Sequence, residues 1–223
     1  MTASLNHEDQ EQIDQIRQFW SRYGTSISIL ILIIALVFSV YQGWLWWKRD
    51  QSMQAAHLFS EFTTAHAASD TEKTQLVFKD LQERYPKTVF TQQAALLHSD
   101  LLQSKGGLTS AKNSLKWLIE KGGEPEYRSI AVLRLSALLI DDNRLEESLT
   151  YLQKARGYGF DALIDDRVGD IYTLQNKTSE AIAAYKAAWN ALDEKSPYRK
   201  QIEFKMSVLG ADISTLSKPA VSS

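Results

Sequence analysis

Between Arg22 and Lys48 the chain carries no charged side chain, and the stretch 27–41 reads ISILILIIALVFSVY. A run this long and apolar has few places to go. At 1.5 Å per residue, the segment 24–47 is long enough to cross a hydrocarbon layer of about 30 Å. In lipid the peptide groups must bond among themselves, which an isolated run achieves only as a helix. Aromatic residues mark both ends, with Phe19, Trp20 and Tyr23 before the run and Tyr41, Trp44, Trp46 and Trp47 after it. Indole and phenol rings settle at a membrane–water boundary because their bodies are apolar and their tips polar. Trp20, Tyr23, Trp44, Trp46 and Trp47 are therefore expected as membrane-interface anchors. A cleaved signal peptide would end its apolar core on small residues, but this run ends on bulky aromatics. A buried core helix would show a polar face, and 29–38 shows none. An uncleaved anchor is the expectation. Its orientation does not follow from charge: Arg17 and Arg22 precede it, Lys48 and Arg49 follow it, and the acidic tail counts for little.

From about residue 53 the chain reads as helix after helix. No stretch alternates with a period of two, and turn signals recur, among them Lys105-Gly106-Gly107, Asp141-Asp142-Asn143 and Gln175-Asn176-Lys177. Such spacing prompts a search for repeats. Residues 134–155 and 167–188 align at an offset of 33, pairing Arg134 with Arg167, Ser136 with Gly169, Asn143 with Asn176, Ser148 with Ala181 and Ala155 with Ala188. A weaker copy at an offset of 37 contains Ser99, Leu102, Ala111, Leu115 and Leu118. An earlier one, marked by Phe78, Leu81 and Pro86, lacks the small residue on its first helix near Phe62. Small residues at matching places let paired helices touch. The segment 196–209 is expected as a capping helix, and 210–223 as a disordered polar tail.

Chemistry is harder to find. The 223 residues include no cysteine, which excludes disulfides, thiolate metal sites and a cysteine nucleophile. The formal net charge is −2 with no basic block, so nucleic acid is not indicated. His7, His57, His66 and His98 have no helical metal-pair spacing, and no nucleophile elbow, phosphate loop or dinucleotide fingerprint occurs. No catalytic, cofactor or metal residue is assigned. What remains is binding, and stacked helical hairpins bind along the surface lined by their first helices.

The copy at 167–188 resembles a tetratricopeptide repeat, with Gly169, Tyr172, Ala181, Tyr185 and Ala188 at that motif's spacing. Carried over by that resemblance, the groove-facing positions are Ile130, Leu133, Arg134 and Ala137 in one repeat, and Leu163, Asp166, Arg167 and Asp170 in the next. The whole layout resembles the bacterial ancillary SecYEG translocon subunit family (YfgM-like). The shared order is an acidic tail ending in Phe19-Trp20, one apolar helix, a Trp-rich exit, degenerate repeats and the closing EFKMSVL at 203–209. The resemblance implies an all-α chain in four parts: a cytoplasmic tail (1–23), a transmembrane helix (24–47), a tetratricopeptide-like solenoid (48–209) and the tail (210–223). It implies a single-pass protein of the bacterial inner membrane, N-terminus cytoplasmic and repeat domain periplasmic. Its partners would be the SecYEG translocon, a membrane-anchored periplasmic chaperone and exported clients. The competing expectation is a cytosol-facing, membrane-anchored scaffold that grips a signalling protein.

An arginine placed at Ile33 should raise the free energy of translocon-mediated insertion by about 2.5–3.5 kcal/mol. An insertion assay checks this, and a mature N-terminus near residue 50 would show cleavage instead of anchoring.

Overall fold

The computed structural model describes residues 7–214 and 216, with side chains for residues 17, 19–214 and 216. Helix is its regular structure: α1 (His7–Ala67), α2 (Thr71–Arg84), α3 (Val89–Ser104), α4 (Leu108–Lys121), α5 (Pro125–Asp141), α6 (Leu145–Lys154), α7 (Asp161–Leu174), α8 (Thr178–Ala191) and α9 (Tyr198–Val208). No strand occurs among the described residues, so the all-α expectation holds. The chain divides into two compact units, one through Gln51 and one from Ser52.

Helix α1 extends past the 24–47 segment at both ends because neither proline nor a turn signal interrupts the chain before Ala68. Within the first unit its apolar side chains stand exposed on every side, from Ile29 and Leu30 through Phe38 and Val40. This is the helix long and apolar enough to cross a membrane among the described residues. A helix apolar all round is stable only where its surroundings are apolar too. Ser39 costs little there, since its hydroxyl donates to the Ala35 carbonyl at 2.8 Å within the helix. At the ends, Phe19 lies 5.2 Å from Tyr23, Tyr41 lies 6.4 Å from Trp44, and the Lys48 ammonium sits 5.7 Å from the Trp44 ring. Trp20, Tyr23, Trp44, Trp46 and Trp47 are all exposed. Residues 1–6 of the expected acidic tail, and the side chains of its Glu8, Asp9, Glu11 and Asp14, lie outside the described residues.

In the second unit, the end of α1 pairs with α2, α3 with α4, α5 with α6 and α7 with α8. One backbone device closes every pair. Ser69, Gly106, Asn143 and Asn176 adopt positive φ (54°, 79°, 59° and 59°), each just past a first helix. The next amide in each turn donates back five residues: Asp70 to Ala65, Gly107 to Leu102, Arg144 to Leu139 and Lys177 to Tyr172, at 2.8–3.0 Å. This is a Schellman cap, whose left-handed residue glycine and asparagine accept most readily. Gly210 (φ 80°) repeats the device after α9, with Ala211 donating to Met206 at 3.0 Å. The five left-handed positions are spaced 37, 37, 33 and 34 residues apart. By that measure α9, expected as a cap, is the first helix of a fifth repeat. After α9, Ala211, Ile213 and Leu216 pack against the cluster formed by Ala181, Tyr185, Ala188, Ile202 and Met206. Of the tail expected over 210–223, residues 215 and 217–223 lie outside the described residues.

Small residues set how closely the paired helices cross. A Cβ on Gly169 would lie 2.5 Å from the Tyr185 ring, so only glycine allows that approach. One repeat earlier, the Ser136 and Ser148 hydroxyls meet at 2.7 Å, fully buried and mutually satisfied. Ser99 and Ala111 are buried at the same places in the pair before. The first pair has Phe62 there, and an aromatic cluster replaces the close contact: Phe62 lies 6.1 Å from Phe59 and 6.5 Å from Phe78, whose ring is 4.9 Å from His98. Burial lowers the His98 pKa to about 4, with the neighbouring His66 adding to the effect. The neutral ring holds Gln75 at 2.8 Å and packs as a core residue.

Gly169→Leu should overpack the α7–α8 crossing and destabilise the domain by about 1–3 kcal/mol or more. Denaturant unfolding reads the effect, and a variant as stable as the parent would remove the close-packing argument.

Candidate partner-binding surface

First helices neighbour one another along one side of the second unit: α3 packs beside α5, and α5 beside α7. Hydrogen bonds from Tyr198 and Lys205 bring α9 beside α7 and extend the row. All eight residues expected at the groove lie on α5 and α7, but their side chains fare differently.

On α5, Ile130, Leu133 and Ala137 are half-buried. Arg134 reaches back to α3, where one guanidinium nitrogen donates to both carboxylate oxygens of Asp100 at 2.6 and 2.7 Å. The same nitrogen lies 3.4 Å from the Leu96 carbonyl. With both partners partly exposed, this ion pair is worth at most about 1 kcal/mol. It fixes the arginine against the preceding repeat.

On α7 the two aspartates turn inward. Asp166 is buried and accepts from the Tyr198 hydroxyl at 2.6 Å and the Lys205 ammonium at 2.7 Å. Asp170 accepts from the Tyr185 hydroxyl at 2.8 Å and from Lys205 at 2.7 Å. Burial pushes the Tyr185 and Tyr198 phenols above the ordinary tyrosine range, and the carboxylates they donate to add to that shift. Both therefore stay protonated donors at any physiological pH. The network ties α9 onto α7.

Leu163 and Arg167 remain toward open space. Leu163 lines a cleft of about 540 Å³ with Phe160, Ala162, Ala191, Leu192 and Tyr198. Arg167 lines a second, of about 340 Å³, with Ile140, Asp170, Thr173, Leu174 and Tyr185. No ion pair forms at Arg167 among the described residues. The second helix α4, by contrast, is tied to the next repeat by Lys112 with Asp142 in the α5–α6 turn and by Lys116 with Glu147 on α6.

Four contributors escaped the sequence reading: Asp100, Tyr198, Lys205 and the exposed Phe204. The signal for the last three was present in Gly210, 34 residues after Asn176, which marks α9 as a first helix. Asp100 gave no local signal, since its partner comes from the next repeat.

The family described as tetratricopeptide repeat-like domain matches residues 17–211, taking in the apolar helix and the repeats together. The chain is 23% identical over 210 residues to the ancillary SecYEG translocon subunit of Neisseria gonorrhoeae, an alignment covering 94% of this chain and 100% of that protein. It is also 23% identical over 203 residues to the ancillary SecYEG translocon subunit of Haemophilus influenzae, covering 89% of this chain and 94% of that one.

Lys205→Met would leave the buried Asp166 carboxylate without its cation. It should destabilise the domain by about 2 kcal/mol, since a stranded buried charge costs more than the pair contributed. Adding Asp166→Asn should recover part of the loss, as urea unfolding of the full chain would show; unchanged stability in Lys205→Met would remove the network from the account.

Proposed function

The chain belongs to the tetratricopeptide repeat-like domain family, and from that premise we propose that it is a non-enzymatic adaptor attached to the SecYEG translocon. In this reading α1 crosses the bacterial inner membrane once, with the N-terminus in the cytoplasm and the repeats in the periplasm. The row of first helices holds a membrane-anchored periplasmic chaperone, an exported client, or one after the other. The observation that carries the reading is the extent of the similarity to ancillary SecYEG translocon subunits, which spans the anchor and the repeats in one alignment.

Physical arguments support each part. The anchor is apolar throughout and exposed, a surface suited to lipid or to another membrane helix. The repeat unit presents a row of first helices with apolar side chains and an arginine that makes no ion pair among the described residues, features that suit a protein segment. Confinement joins the two. A surface held beside a channel exit meets emerging segments at an effective concentration of about millimolar, so weak contacts suffice. The mechanism asks for moderate affinity and fast release, because a client must pass onward to fold.

Alkaline phosphatase fused after Ser223 should be active in bacterial cells, and SecYEG should copurify with the full chain from solubilised membranes. Activity only from a cytosolic reporter at that site would replace this reading with the cytosol-facing scaffold. Copurification that failed despite correct insertion would detach the protein from the channel.

A further inference from the structure

Three large apolar side chains stand in solvent near the C-terminal end of the row of first helices. Leu174, the last residue of α7, is 55% exposed; Phe204 and Val208 on α9 are 69% and 67% exposed. Helical register brings them together. Lys205 contacts both Asp166 and Asp170, and Tyr198 contacts Asp166, so α7 and α9 run side by side in the same direction. Leu174 lies one turn beyond Asp170, and Val208 one turn beyond Lys205. Phe204 is one turn before Val208 on the face of α9 opposite the buried Ile202 and Met206. Arg167 lies two turns before Leu174 on the same strip of α7. Terminal repeats of solenoids ordinarily carry a polar outer face, and an apolar patch left open marks an interaction site.

We propose that this strip, Arg167 and Leu174 on α7 with Phe204 and Val208 on α9, receives an amphipathic helix. That helix carries apolar residues along one face and a carboxylate at its edge. The proposal rests on reading the first-helix row as the partner surface, and it names the class of partner. Charge supplies the first argument. Asp166 and Asp170 share Lys205 and the two tyrosine hydroxyls, and Asp100 holds Arg134. Beside the patch, the Arg167 guanidinium and the exposed Lys200 ammonium, one turn before Phe204, make no ion pair among the described residues, and an acidic residue complements them.

Backbone hydrogen bonding supplies the second. An extended segment brings a row of unpaired N–H and C=O groups that its binding site must satisfy. Here Thr173 already donates to the Gly169 carbonyl and Gln175 to Glu146, leaving Gln201 and Asn176 as the carboxamides near the patch. A helix satisfies its own backbone and needs from the site only apolar contact and one ion pair.

Fluorescence anisotropy of the full chain in zwitterionic lipid nanodiscs, with empty discs as the blank, tests this. The probes are labelled helical peptides of about 18 residues with leucines along one face, edged by glutamate or by lysine, and a proline-interrupted version of the first. The glutamate peptide should bind. Phe204→Ser with Val208→Ser should weaken it at least about tenfold, while the thermal unfolding of the domain is unchanged because both side chains are exposed. Arg167→Glu should weaken the glutamate peptide by about as much and shift preference to the lysine peptide. The proposal falls if the serine variant binds as the parent does, if the parent binds both charge types equally, or if no helical peptide binds. Equal binding of the proline-interrupted peptide would assign the strip to an extended segment instead. SecYEG copurification of the same variants is read separately, so lost peptide binding with intact copurification sinks this inference alone.

Discussion

Much of the repeat unit depends on how closely two consecutive helices cross, and in the three hairpins from α3 to α8 that closeness is set by small residues at the crossing and one left-handed residue per repeat. Gly169 admits the Tyr185 ring to a place where a Cβ would clash, and Asn176 turns the chain so that α8 returns along α7. Ser136 with Ser148, and Asn143, do the same one repeat earlier. Because each hairpin closes the same way, each adds its first helix to the same side, and the row along α3, α5, α7 and α9 follows. A bulky residue at the crossing would alter the helix approach, and the altered offset would carry into every later repeat. The row is a consequence of the turns.

Polar contacts then connect the hairpins one repeat at a time. Gln93 reaches Tyr127, Arg134 reaches Asp100, and Tyr198 reaches Asp166, at separations of 34, 34 and 32 residues. Each separation is close to one repeat length. Bonds between nearest neighbours, with none needed farther off, are what a quasi-one-dimensional fold requires. The same economy shapes the candidate binding surface. Carboxylates that could have made the row acidic are used to dock α9, so the row near its C-terminal end keeps apolar side chains and cations, Arg167 and Lys200, that make no ion pair among the described residues. In the proposed function a membrane anchor gives this surface an address, and concentration near the channel substitutes for tight contact.

Much of this was legible in the sequence. The long apolar helix was, because neither a charge nor a proline interrupts the 24–47 run. The two central repeats were, because Asn143 with Asn176 and Ser136 with Gly169 meet backbone requirements that few residues can meet. The first pair was harder to read: Phe62 stands where the others have a small residue, and aromatic packing against Phe78 and His98 replaces the close crossing. Helix α9 read as a cap from its Ser196-Pro197 start signal, and only Gly210, repeating the turn that ends the other first helices, shows it to be one of them. Asp166 and Asp170 looked open because local spacing cannot show a lysine arriving from 39 and 35 residues away. Arg134 raised the same difficulty, with its carboxylate partner one repeat earlier. Requirements met within a turn are written locally; pairings between repeats are written only in the fold.

The central claim is that the first-helix side, held at the membrane, is where a partner is taken. Photo-crosslinking amino acids at Ile130 and Leu163 on that side, and at Asn113 and Lys186 on second helices, would test it most directly in intact cells. The account predicts that adducts with proteins of the export route form from Ile130 and Leu163 and are sparse from Asn113 and Lys186. Adducts confined to the second-helix positions, or made only with cytosolic proteins, would contradict it.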